Sequence, residues 1–180
     1  MQIIGVTGII GSGKSTAARY IAQELKYQYI DVDVVGHDVL AHDVAVRELI
    51  LQTFDTVDRS ALAKIVFANP QELRKLNAII HPRMVELIWQ RLAVATVIDA
   101  AVLFQMGLDK YCTKLVFVDA PRERIADRLV AKGLTGEQIE QRLAANAQVY
   151  TYAERCDIIV NDQSITALQA KLNELLISYT

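Results

Sequence analysis

The run Gly8-Ile9-Ile10-Gly11-Ser12-Gly13-Lys14-Ser15 constrains this chain more than any other stretch. It has the GxxxxGK[ST] form, in which a wrapped backbone points successive amide N–H groups at one phosphate group. Lys14 then reaches the outer phosphates, and the Ser15 hydroxyl is placed to hold Mg²⁺. Such a loop works only between a strand and a helix, and both flanks read that way. Ile3-Ile4-Gly5-Val6-Thr7 is a short buried strand, and Ala17, Ala18, Ile21, Ala22 and Leu25 recur at the spacing of one helical face. The loop therefore opens a helix, whose unpaired N–H groups and dipole favour an anion.

The rest of the chain alternates strand and helix. Tyr27–Ile30, Thr96–Phe104, Lys114–Asp119 and Cys156–Val160 read as further strands, which makes five and predicts an α/β fold with a doubly wound parallel sheet. The second strand ends in Asp31-Val32-Asp33, at the edge where open parallel sheets bind ligands. If the strand geometry continues, both carboxylates point to one side. Asp31 is read as the cap of a helix over Val34–Ala41 and Asp33 as the group available for chemistry. Asp99 follows an apolar run and is the candidate carboxylate for the Mg²⁺ held by Ser15.

Between His42 and Phe67 short helical patterns alternate with polar turns and no strand signal appears, so a helical insertion is expected. Asn69-Pro70 starts a helix with the stripe Leu73, Leu76, Ile79 and Ile80. His81-Pro82 is expected to break it, with a second helix carrying Met84, Val85, Ile88 and Leu92 inward. After the fourth strand, Pro121 opens a helix that stops at Gly133. Its residues Arg122, Arg124, Arg128 and Lys132 read as a solvated charged face. Thr135-Gly136-Glu137-Gln138 is a capping box that opens a helix towards Tyr152 with a narrow apolar stripe, the pattern of an element that projects from the core. Arg142 on it suits a mobile lid that brings a cation to phosphates; a surface salt bridge explains it equally. Ile165, Leu168, Leu172, Leu175, Leu176 and Tyr179 make an amphipathic closing helix.

At 180 residues and 52% hydrophobic, with three prolines, the chain reads as one compact domain rather than a disordered or fibrous one. A net charge of −2 with interspersed signs offers no nucleic-acid footprint. The absence of a long apolar run or leader pattern leads us to expect a cytoplasmic protein without membrane association. Cys112 and Cys156 are read as buried free thiols, and His37 and His42 as structural. No NKxD motif accompanies the loop, since Asn161-Asp162-Gln163 lacks the lysine, so a guanine-nucleotide switch is not expected.

Taken together, IIGVTGIIGSGKST at the start, Ile30-Asp31-Val32-Asp33, Asp58-Arg59 with Leu62, His81-Pro82, the segment Ile98 to Asp109 and Cys156 to Asn161 resemble the dephospho-coenzyme A kinase family of P-loop kinases. The resemblance runs almost end to end. It implies a single P-loop kinase domain with a helical acceptor-binding region at about 34–93 and a lid at about 121–153. It also implies a monomer that uses ATP and Mg²⁺ to phosphorylate the ribose 3′-hydroxyl of dephospho-coenzyme A. By the same resemblance Gly8, Gly11, Ser12, Gly13, Lys14, Ser15 and Thr16 bind ATP together with Arg142 from the lid. Asp33 is the base, Arg59 and His81 join it on the acceptor side, and Ser15 and Asp99 serve the metal. Some positions depart from the family pattern. Ile9 stands for a usual glycine, Ala101 and Gln105 for the proline and acid of the segment after the third strand, and Asn146 for the glutamine after the lid arginine. Ile125 is a further departure. Another small-molecule kinase acting on a nucleoside, nucleotide or sugar, or a weakened ATP-binding paralogue, stands as the alternative.

Overall fold

The computed structural model describes residues 1–179, apart from the side chains at 67 and 68. Its strands are β1 (Gln2–Gly8), β2 (Gln28–Asp31), β3 (Ala95–Asp99), β4 (Lys114–Asp119) and β5 (Asp157–Val160). They form one five-stranded sheet in the order β2-β3-β1-β4-β5, parallel at every pairing. The first of two compact units, Met1–Asp31 with Leu92–Thr180, holds the whole sheet; the second, Val32–Arg91, is helical.

In the sheet unit, strand alternation decides what each face buries. Ile4 and Val6 of β1 and Val116 and Val118 of β4 point to one side. There they meet Ala17, Ala18, Ile21 and Ala22 of α1 (Lys14–Leu25) and Leu168, Leu172 and Leu176 of α8 (Ile165–Ile177). The intervening Phe117 points the other way, into a cluster with Ile125 and Leu129 of α6 (Arg122–Val130) and Ile139 and Leu143 of α7 (Gly136–Asn146). Both faces are covered, which is why the strands are apolar at nearly every position. Ile165 is the exception in the closing stripe: it lies 65% exposed, one residue past the cap Ser164, before the helix has turned its apolar face inward.

The helical unit consists of α2 (Val32–His42), α3 (Val44–Phe54), α4 (Arg59–Ala68) and α5 (Pro70–Arg91), with the other three packed on α5. Asp43 and Asp58 cap α3 and α4 by accepting from the Val46 and Ala61 amides, and Asn69 accepts from Gln71 at the start of α5. Where a break was expected at His81-Pro82, α5 runs straight through. Leu76, Ile80, Met84 and Ile88 are buried at a constant spacing of four on both sides of Pro82, so packing keeps one helix in phase at the cost of one backbone hydrogen bond.

Three further boundaries differ from the sequence reading. β2 ends at Asp31 and α2 begins at Val32, so Asp31 and Asp33 do not share one strand face; Asp33 lies in the first turn of α2. β3 ends at Asp99 instead of Phe104. The Ala100 amide still donates to Val6, after which the chain folds back through turns closed by Met106 to Val102 and Leu108 to Leu103. That reversal leads into the 3₁₀ turn Leu108–Tyr111. α7 stops at Asn146 and continues as a 3₁₀ segment, Ala147–Arg155, and instead of projecting it lays Ile139 and Leu143 into the core.

Candidate active site

The phosphate loop lies between β1 and α1, at the C-terminal edge of the central strand. Gly13 directly precedes α1 with φ +98, and a Cβ there would stand 2.3 Å from the Asn161 side-chain nitrogen. Only glycine combines that dihedral with that approach. The first turn of α1 carries Ser15, half-buried, and Thr16, exposed, beside N–H groups that the helix cannot use itself. Two hydroxyls in the loop region, Thr7 and Ser12, are buried without a hydrogen-bond partner, and the Ser12 residue is fully enclosed.

Lys14 does not extend into solvent. Its Nζ pairs with Asp99 Oδ1, and the second Asp99 oxygen accepts from the Tyr29 hydroxyl at 2.8 Å. The Asp99 side chain is 0% exposed, so its charge is met from both sides, as a buried carboxylate requires. Asp31 and Asp99 are register partners at the ends of β2 and β3, and Tyr29 also donates to Asp31 at 3.3 Å. Arg19 lies 3.7 Å from the same Asp31 carboxylate and over the Tyr29 ring. Burial and the neighbouring Asp99 raise the Tyr29 phenol well above its ordinary range, which keeps it a donor at all ordinary pH values.

The loop backbone is held from outside. Arg128 of α6 donates from Nη1 to the Gly11 and Ser12 carbonyls at 3.1 and 2.9 Å and from Nη2 to the Asn161 carbonyl at 3.2 Å. Asn161, just past β5, adds a 2.8 Å bond from its side-chain amide to the Ser12 carbonyl. Asn146 accepts from the Ile10 amide at 3.1 Å. Burial, followed by the proximity of Arg124, lowers the Arg128 pKa from its ordinary value.

A family model described as Dephospho-CoA kinase matches residues 2–167. The chain belongs to the dephospho-CoA kinase family. A dephospho-CoA kinase from Symbiobacterium thermophilum is 34% identical over 91% of this chain and 74% of its own length. One from Corynebacterium glutamicum is 34% identical over 98% and 96%. A crystal structure from Thermus thermophilus superposes with a TM-score of 0.80 at 29% identity, covering 99% of this chain and 98% of its own. The parallel sheet and its loop are thus those of a P-loop kinase.

Within the sheet unit the structure gathers Gly8, Gly11, Ser12, Gly13, Lys14 and Ser15 around one loop and brings Asp99 to Lys14. Arg142 is exposed on α7, one turn before Asn146. The residues read as acceptor-side stand on three helices of the helical unit: Asp33 in the first turn of α2, Arg59 as the first residue of α4 behind its cap Asp58, and His81 midway along α5. The positions that depart from the family pattern have defined surroundings. Ile9 is 5% exposed and, like Ile125, packs among α6 and α7 side chains. Ala101 and Gln105 lie in the reversal after β3, Gln105 exposed.

Residue type alone does not mark Arg128, Asn161 or Tyr29 as site residues. Arg128 belongs by sequence to the solvated face, yet it adjoins Leu129 and lies three residues from Ile125, at the border of the buried stripe. Asn161 follows a strand at its C-terminal end, the same rule that singles out Asp31 and Asp33, and so carries a signal. Tyr29 carried none beyond alternation in a short strand.

Burial lowers the His81 imidazole pKa from its ordinary value of 6.5. The unfolded chain takes up this proton first as pH falls, so the contribution of neutral His81 to stability is complete above the ordinary value. It is lost as pH falls from there through the lower folded value. His81→Asn is expected to flatten the decline of unfolding free energy between pH 7.5 and 5.5 in urea melts; an unchanged slope would exclude His81 as its source.

Proposed function

We propose that the protein transfers the γ-phosphoryl group of ATP to the ribose 3′-hydroxyl of dephospho-coenzyme A. The observation that carries this reading is an intact phosphate loop, with Lys14 beside Asp99, in a chain whose family match spans nearly its whole length. In this reading the loop amides at Gly11 and Gly13 and those of Lys14, Ser15 and Thr16 hold the phosphates, while Ser12, its amide bonded to the Ile9 carbonyl, shapes the turn between them. Gly8 lets the chain enter the loop, and Lys14 Nζ exchanges Asp99 for a phosphate oxygen. Arg142, unengaged by any hydrogen bond or ion pair among the described residues, closes over the γ-phosphate and spreads its charge. Asp33 accepts the 3′-hydroxyl proton as that oxygen bonds to phosphorus and the bond to the β-phosphate oxygen breaks, leaving ADP. Arg59 and His81 bind the acceptor within a helical region at about 34–93, and the lid spans about 121–153. The protein works as a monomer in the cytoplasm; among the described residues no helix is long and apolar enough to cross a membrane.

The donor set suits a hard divalent cation. Ser15 and Asp99 supply two oxygens, and no cluster of three His, Cys, Asp or Glu residues that could cage a metal exists among the described residues. Mg²⁺ commonly takes one or two protein oxygens and completes its shell with phosphate and water. When bound, it neutralises charge on the β- and γ-phosphate oxygens.

Purified protein with ATP, Mg²⁺ and dephospho-coenzyme A is expected to form coenzyme A and ADP in equal amounts. No coenzyme A, or faster turnover of a nucleoside, nucleotide or sugar, would overturn the assignment. Asp33→Asn is expected to lower kcat by about a hundredfold or more while leaving ATP affinity unchanged, because it removes a proton acceptor and no phosphate contact. Wild-type turnover in that variant would take Asp33 out of the chemistry.

A further inference from the structure

A phosphate loop cannot hold itself in shape through its own amides, because each N–H used internally is lost to the ligand. In this loop the Ser12 amide donates to the Ile9 carbonyl at 3.1 Å. The other restraints come from side chains. Arg128 and Asn161 grip the Gly11 and Ser12 carbonyls on one flank. On the other flank Asn146 accepts from the Ile10 amide across 136 residues of chain. Beside that bond, the Ile9 side chain is buried among Ile125, Leu129, Ile139 and Leu143. At Ile9 and Ile10 the loop is thus fastened by the hydrogen bond to Asn146 of α7 and by the buried Ile9 side chain, in addition to the grip of Arg128 of α6 on Gly11 and Ser12.

We infer that Asn146 is a positioning residue that sets the phosphate loop in its ATP-binding shape and ties it to the helix carrying Arg142. Asn146 is the last residue of α7, and Arg142 lies four positions earlier, on the same face of that helix. The hydrogen bond at Ile10 therefore also fixes where the Arg142 turn begins relative to the loop. Ile10 N–H is directed at α7, so Asn146 does not compete with phosphate for it; it orders the loop before the ligand arrives. Preorganisation of this kind raises affinity by removing an ordering cost from the binding step. This inference rests on the ATP-dependent reading above.

Asn146→Leu removes the acceptor at similar size, and Asn146→Asp keeps an oxygen in its place. In the ligand-free protein, the Ile10 amide is expected to exchange with solvent at least about tenfold faster in the leucine variant and at the wild-type rate in the aspartate variant. ATP binding by calorimetry is expected to weaken about five- to tenfold in the leucine variant, with dephospho-coenzyme A affinity unchanged. Asn146→Ala supplies the same comparison if the leucine variant does not fold. Wild-type exchange at Ile10, unchanged or tighter ATP binding, or an equal loss of both affinities with faster exchange throughout α6 and α7 would each overturn the inference. A wild-type protein that binds no ATP would instead overturn the proposed function, and the exchange at Ile10 would still decide whether Asn146 shapes the loop.

Discussion

Lys14→Met is expected to abolish measurable phosphoryl transfer, a loss of about 10³-fold or more, because no other side chain in the loop can bring a charge to the outer phosphates. The same substitution should also destabilise the protein. Asp99 is fully buried and pairs with Lys14 Nζ, so removing the lysine leaves a carboxylate whose remaining donor is Tyr29. Breaking one side of a buried pair costs about 3–5 kcal/mol, because an uncompensated charge stays buried; removing that charge as well leaves only the smaller cost of an unpaired neutral group. The double variant Lys14→Met with Asp99→Asn is therefore expected to be more stable than Lys14→Met alone by about 1–3 kcal/mol and to remain inactive. The asparagine can still accept from Tyr29. Urea melts and a turnover assay on the two variants separate the structural from the catalytic contribution of Lys14. Recovered activity in the double variant, or no stability difference between the two, would contradict the pairing described above.

Gly8→Ala is expected to cost about 3 kcal/mol or more and, for a protein of this size, to lower Tm by roughly 6–12 °C. Gly8 has φ +149 and pairs with Val118 in the central part of the sheet. A Cβ there would sit 2.2 Å from the Val118 carbonyl oxygen, a backbone atom that can move only with β4. Gly136→Ala provides the contrast. Nothing lies within 4 Å of its Cβ position and it starts a helix, so an unchanged or slightly raised Tm is expected. If both variants melted like wild type, close packing of β1 on β4 would not be what demands Gly8.

The two variants draw on features of different visibility in the sequence. The loop spacing, the alternation in β1 and β4 and the stripes of α1 and α8 all depend on neighbouring residues in the chain, and they could be read directly. The capping box at Thr135 and Gln138 was legible for the same reason and is formed in full. The end of β3 was not. Thr96 to Phe104 is almost uniformly apolar, since the strand and the reversal after it are both buried, and hydropathy cannot separate one from the other. Pro82 misled in the opposite direction. It is a strong local signal for a break, and it was overridden by a buried stripe that stays in phase along the whole of α5.

By itself the sequence determined that this chain builds a parallel sheet with a phosphate loop at the end of its first strand, because backbone chemistry and periodicity act over a few residues. The tertiary structure alone decided which polar side chains serve that loop. Arg128 and Asn146 come from helices whose other polar residues face solvent, Asn161 comes from beyond the last strand, and Tyr29 reaches Asp99 from a neighbouring strand. Each stands at the border of a buried stripe or at a strand end, where periodicity leaves the direction of a side chain open. The direction is settled only when loop carbonyls and amides, deprived of partners within the loop, are folded against it.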